Sequence, residues 1–516
     1  MERELGAFIE DFAALVRLAE RAQPRLAGGT QLLAALTDHL GRPADELPVV
    51  VEEIPGHRFV DADIQLAETA EADAQHRLVG IGGGDQRHHL SLSDMLQQSR
   101  HFPQFPLSQP DYANVAVGPA EQRQAVALGL RLFHSGAGEP LAVLIRAANP
   151  RYGQNTAALE VLGSSPQQVA DFLTAFRARM QTRSVLKGQV VSLTMDPFGD
   201  SGAGVTFHER PRLDAADVIL PEGLLERISR HAVELGSHRK QLRALGQHLK
   251  RGLLLYGPPG TGKTHTVRYL LGRSQGTTAI ILSGGSLAFI SEAARMARAL
   301  APSMVILEDC DLIAEDRSFG HGPQPLLFEV LDAMDGLDDD ADVAFVLTTN
   351  RVGMLERALA QRPGRVDLAV EIPLPEAGER AALLRRYARE LAFSEEAIGQ
   401  AAELTAGTTA SFARELVRRA VVASALAGTG PTDAHLLAAA AELMGDGEVL
   451  TRSLLGSTPG APDDDGGPGT AVSSAGYFAY APRPGRTFRG SARTAGYASG
   501  LDLDFEAPDH SADPEA

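Results

Sequence analysis

"LLLYGPPGTGKTHTVRYL", residues 253–270, sets an apolar run against a glycine-rich turn and a lysine. Gly257, Gly262, Lys263 and Thr264 complete the pattern G-x-x-x-x-G-K-[ST], with a strand expected over Leu253 to Tyr256 and a helix over Thr266 to Leu271. Gly257, Gly260 and Gly262 take positive φ without steric cost, so successive backbone N–H groups turn inward around phosphate oxygens at a helix N-terminus. Lys263 then reaches the β- and γ-phosphates as a point charge, and the Thr264 hydroxyl is placed to ligate Mg²⁺. The candidate nucleotide cradle is thus Gly257, Pro258, Pro259, Gly260, Thr261, Gly262, Lys263, Thr264 and His265. A plain Gly/Pro turn is the competing reading, and the full eight-residue pattern between strand and helix argues against it.

Around this stretch the chain has room for two to four domains in 516 residues, and 44% hydrophobic residues supply material for real cores. The balance of 48 basic and 66 acidic residues, net −18, argues against a nucleic-acid-binding surface as the main business. A single cysteine, Cys310, allows no internal disulfide and fits a reducing cytosol. No apolar run is long enough to span a bilayer, and the acidic, amphipathic start MERELGAFIEDF is unlike a signal peptide, so a soluble cytoplasmic protein is expected.

The expected division has five parts. Residues 1–205 alternate helical stretches (ELGAFIEDFAALVRLAERA, SPQQVADFLTAFRARM) with strand-like ones (LPVVVEEI, PLAVLIRA, GQVVSLTM), an α/β or α+β N-terminal domain. Within it GIGGGD (Gly80 to Asp85) reads as a flexible turn without strand–turn–helix context, and His88 and His89 as surface residues without metal-ligand spacing. Residues 206–250 read as a linker strand and amphipathic helix, 251–375 as a parallel sheet covered on both faces, and 376–450 as a helical domain. In residues 451–516 Gly, Pro, Ser and Asp dominate, which predicts disorder; Tyr477, Phe478 and Tyr480 with Arg483 to Arg489 are a candidate recruiting segment.

A cradle alone hydrolyses nothing. SMVILEDCDLI (Ser303 to Ile313) predicts a strand ending in adjacent carboxylates, Glu308 and Asp309, one able to hold water or Mg²⁺ and the other to polarise an attacking water. AFVLTTN predicts another strand whose tip presents Thr348, Thr349 and Asn350, the amide suited to touching water or the γ-phosphate.

With these motifs in order, residues 206–445 resemble an AAA ATPase, the ring-forming remodelling branch of the P-loop NTPases. GPPGTGKT (257–264) resembles the family's Walker A, APSMVILEDCDLIAEDR (301–317) its Walker B region, and LLFEVLDAMDGL (326–337) the helix that follows. LTTNR (347–351) resembles sensor 1, LAQRPGRVDLAVEIPLP (359–375) the second region of homology, and TAGTTASFARELVRRA (405–420) the lid segment with sensor 2. The resemblance implies a P-loop α/β sheet with a small helical lid. It also implies ATP and Mg²⁺ as cofactors, with Thr264 and Glu308 on the metal and Asn350 as sensor. Arg362 and Arg365 become arginine fingers directed into a neighbouring subunit's site, and Tyr387 falls where many relatives place an adenine-side histidine.

The chain departs from the family in three places. Relatives usually read Asp-Glu where this chain reads Glu308-Asp309, so the catalytic position carries a side chain one methylene shorter. SGGSLAFISEAARMARAL (283–300) leaves Phe289, with Ile290, as the pore-loop candidate and no glycine after them, and a packed core aromatic is the equal alternative. The spacing from Ala358 to Arg362 is one residue longer than usual. The expected function is a Mg²⁺-dependent ATPase that forms a homo-oligomeric ring, a hexamer, and remodels or unfolds protein partners recruited through the N-terminal domain. An ATP-gated scaffold with little turnover is the rival, and a nucleic-acid motor or loader is disfavoured by the charge.

Overall fold

The computed structural model describes residues 14, 31–100, 104–195, 203–310, 341–351, 366–445 and 449–456. The helical reading of residues 4–22, residue 14 apart, the segment 326–337, Arg362, Arg365 and the tail from 457 onward lie outside the described residues.

The first sheet is antiparallel throughout. Its strands are β1 (Val50–Ile54), β2 (Arg77–Ile81), β3 (Leu107–Ser108), β4 (Asp111–Ala116), β5 (Gln122–His134), β6 (Pro140–Arg146) and β7 (Ala157–Gly163), in spatial order β1-β7-β6-β5-β2-β3 with β4 also paired to β5. Helices cover both faces. Helix α1 (Leu32–Leu40) and α3 (Leu92–Ser99) pack Leu36 and Leu96 against Leu130 and Leu144, while α2 (Phe59–Glu71) and α4 (Pro166–Thr182) pack Leu66 and Phe176 against Phe133 and Val143. Of the two architectures left open by the sequence, this sheet is α+β, because an antiparallel ladder needs no crossover helix between neighbours.

GIGGGD differs from its sequence reading. Its first two residues end β2, and Gly82 to Asp85 lead from that strand into a one-turn helix, Gln86–His89. The loop is nevertheless filled by protein, since a Cβ on Gly83 would meet the Phe105 ring at 2.8 Å. A four-residue helix is too short to announce itself by periodicity.

The second sheet takes shape around the opening stretch. β10 (Arg251–Tyr256), β11 (Thr278–Ser283), β12 (Ser303–Glu308), β13 (Val343–Thr349) and β14 (Leu368–Glu371) run parallel in the order β14-β10-β13-β12-β11. Two earlier strands extend it: β8 (Val190–Met195) lies parallel to β11, and β9 (Ala203–His208) pairs antiparallel with β8. The boundary expected near residue 205 therefore falls within β9. Near-continuous apolar runs such as VAFVLTT are buried on both faces, as strands between two helical layers require. On one face Leu254, Val305 and Phe345 pack with α7 (Ile290–Ala299). On the other Leu253, Leu255 and Ile306 pack with α5 (Leu224–Ser229) and α6 (Lys263–Arg273).

The lid is α8 (Ala377–Tyr387), α9 (Glu395–Leu404), α10 (Ala410–Leu426) and α11 (Asp433–Met444), closed around Leu384, Phe412, Leu416 and Leu436, with α12 (Val449–Leu454) after it. Among the described residues no helix is long and apolar enough to cross a membrane.

Candidate active site

The site is assembled at the carboxyl ends of the parallel strands, beside the point where the chain leaves β10 and skips over the places later taken by β13 and β12. Gly257, Gly260 and Gly262 adopt φ of 140°, 79° and 114°, the left-handed side on which side-chain-bearing residues are strained. Gly257 is further constrained, because a Cβ there would lie 2.3 Å from the Ile372 carbonyl. Gly262 caps α6, so the positive end of that helix faces the loop.

Lys263 is buried and folds back over the loop, its Nζ donating to the carbonyls of Gly257 and Pro258, both at 2.8 Å. Thr261 Oγ1 donates to the Pro258 carbonyl at 2.9 Å, bracing the turn from inside. The Thr264 side chain is exposed. His265 is directed elsewhere: its Nε2 lies 3.1 Å from the carbonyl of Asp217, and burial, with Arg268 adding to it, lowers its pKa.

The carboxylate pair stands at the same edge. Ser283 of β11 is level with Glu308, and Tyr256 of β10 with Thr349, so the strand ends place loop, carboxylates and sensor strand on one rim. Asp309 has φ 53°, the one side-chain-bearing residue with positive φ among those described. Its N–H donates to Thr348 Oγ1 at 3.0 Å, and the N–H of Cys310 donates to the Thr348 carbonyl at 2.9 Å. Thr348 thus pins both residues of the turn. Asx side chains tolerate this region better than longer ones, so backbone and residue type agree. The Glu308 carboxyl is pushed above its usual range by burial and then by Asp309, with Arg268 opposing. A half-buried carboxylate so placed, with an exposed threonine hydroxyl in the first turn of α6, is a hard-oxygen donor set suited to Mg²⁺. Asn350 follows β13 directly, and Thr349 Oγ1 accepts from the Arg351 N–H at 3.0 Å.

The lid reaches the loop through contacts that no motif announces. Thr409 caps α10, its Oγ1 accepting from the Phe412 N–H at 3.2 Å and donating to the Leu455 carbonyl at 2.7 Å. One residue on from the start of α10, the Ser411 N–H donates to the Gly260 carbonyl at 3.2 Å. Gly456 approaches so closely that a Cβ would lie 2.2 Å from the Pro259 carbonyl. Asp217 ties the other side, its carboxylate paired with Arg386 of α8 and its carbonyl facing His265. Tyr387 closes α8, packs half-buried against the lid core, and has its phenol pKa raised by burial. Phe289 ends the turn before α7 and packs partly buried against the sheet core, so in this subunit it occupies the core position weighed as its alternative.

Residues 253–374 match the family described as ATPase family associated with various cellular activities (AAA). The chain carries an AAA ATPase domain. It is 35% identical over 207 residues to a proteasome-activating nucleotidase of Methanoculleus marisnigri, covering 37% of this chain and 50% of that protein. It is 31% identical over 257 residues to the ATP-dependent zinc metalloprotease FtsH 4 of Sphaerobacter thermophilus, covering 47% and 38%. With 26S proteasome regulatory subunit 8 of Caenorhabditis elegans it shares 35% over 168 residues, covering 30% and 40%. The chain thus spans about half or less of these relatives' length.

Proposed function

We propose that the protein is a Mg²⁺-dependent ATPase of the AAA class that works as a homo-oligomeric ring, a hexamer, and remodels or unfolds protein partners. The observation that carries the reading is the rim itself: a phosphate loop, an adjacent carboxylate pair and a sensor-strand amide at the ends of neighbouring parallel strands, with a helical lid hydrogen-bonded to the loop. ATP phosphates lie in the Gly257–Thr264 loop, where Lys263 exchanges its carbonyl partners for phosphate oxygens. Thr264 and Glu308 would hold the Mg²⁺, which when bound would supply positive charge against the phosphates. Asp309 accepts the proton of the attacking water, and Asn350 orients that water. Arg362 and Arg365 of a neighbouring subunit stabilise the transition state, and Thr409, Ser411 and Gly456 carry the change at the phosphates into the lid. The segment around Asp217, joined to both α6 and α8, borders the adenine side with Tyr387. Residues 1–205 recruit substrate or adaptor, and the cytoplasm is the working compartment.

Steady-state Mg²⁺–ATP turnover per subunit, followed across a wide range of protein concentration, tests this. The rate is expected to climb cooperatively to a plateau as shared sites form. Background turnover with ATP bound would sink the motor reading and leave a nucleotide-gated scaffold.

A further inference from the structure

The first sheet ends in the edge strand β1. β1 pairs with β7 in continuous register from Val50↔Val161 to Ile54↔Ala157, and among the described residues its other side pairs with nothing. Alternate residues of such a strand direct their N–H and C=O groups outward. Edges are commonly blunted by proline, lysine, a bulge or a covering element. β1 reads VVEEI between Pro48 and Pro55, so proline and charge limit its two ends and its middle, yet it has no bulge and exposes 36% of Val50 and 55% of Val51.

A groove runs beside this edge. It has a volume of about 270 Å³ and lies between β1 and one face of α4, lined by Pro48, Val50, Val169, Leu173 and Thr174. Arg177 closes one end, its Nε donating to Glu52 at 2.7 Å. Val169, Leu173 and Arg177 recur at helical spacing, so the wall is apolar over two turns and then charged. Glu53 is exposed on the opposite side of the strand from Glu52.

We propose that this edge binds an extended segment of a partner polypeptide by strand addition, with the segment lying between β1 and α4. Only another backbone in extended form complements a row of outward N–H and C=O groups. Alternate apolar side chains of the segment enter the groove beside Val50, and a basic residue opposite Glu53 satisfies the exposed carboxylate. This deepens the recruiting role proposed for residues 1–205 and does not depend on nucleotide.

The test uses the full chain without nucleotide and a short fluorescein-labelled peptide of alternating valine and threonine with lysine at each end. Saturable anisotropy is expected, together with slowed amide exchange at residues 50–54. An otherwise identical peptide N-methylated at alternate residues should bind at least about tenfold more weakly, because it lacks the donors the edge requires. Val50→Asp should weaken the parent peptide by about as much with an unchanged melting temperature, since Val50 is already exposed. Equal binding of the N-methylated peptide would overturn the proposal. So would protection, before peptide is added, of the residue 50–54 amides that point away from β7: if concentration-dependent it assigns the edge to a second copy, and if concentration-independent to residues 1–30 of the same chain. Either failure would leave ATP turnover unaffected and the ATPase reading intact.

Discussion

Asp309 is where the reversed carboxylate order acquires a physical meaning. Its φ of 53° is held by Thr348, and aspartate or asparagine occupies that region at less cost than glutamate. Asp309→Asn therefore keeps the turn, with stability changed by less than about 0.5 kcal/mol, and removes only the proton acceptor. Turnover should fall about 100-fold or more with ATP binding retained, as single-turnover kinetics and nucleotide titration would show. Retained turnover would transfer the role of base to Glu308. At this scale the cradle was legible in advance, since spacing and glycine stereochemistry are local properties. The left-handed Asp309 was not, because it depends on a threonine 39 residues later.

The lid illustrates what helical elements add. Thr409 is fully buried and serves two partners at once, the N-terminus of α10 and the carbonyl that ends α12. Losing an N-cap hydroxyl costs about 1 kcal/mol. Thr409→Ala should lower thermal stability by about that amount and also loosen Leu455–Gly456 from Pro259, raising the KM for ATP. Both are measurable in one preparation by calorimetry and turnover, and a stability loss with unchanged KM would confine Thr409 to capping. Helical patterning over 376–445 was readable because apolar positions recur at the helical period. That the start of α10 would meet Gly260 was not, since hydrogen bonds between distant segments leave no periodicity.

At the scale of the whole molecule, a charged contact joins the N-terminal module to α7 on the ATPase sheet. His57, in the turn between β1 and α2, lies 3.1 Å from Glu292 of α7, with side chains 8% and 23% exposed. That bond, assisted by Arg295 and opposed by burial, lowers the Glu292 pKa from 4.5 to about 2. A depressed carboxylate pKa contributes stability that is complete above the unfolded value and is lost as pH falls through the folded one. The contribution should hold above about pH 4.5 and fade toward pH 2. Glu292→Gln should cost roughly 1–2 kcal/mol at neutral pH and flatten the acid limb of the stability curve, as denaturant unfolding across that window would reveal. An unchanged acid limb would show that the His57–Glu292 contact contributes nothing measurable to stability. By itself the sequence determined the glycine-rich turn at 257–262, the strands that frame it and the helical character of residues 377–444, because each follows from steric and periodic rules acting within a few residues. Only the tertiary structure decided that β8 and β9 join the ATPase sheet, that the lid closes on Pro259 and Gly260, and that β1 stands, among the described residues, at the end of its sheet. Those outcomes rest on which distant surfaces complete one another's hydrogen bonds and bury one another's apolar area, a choice made by the whole chain at once.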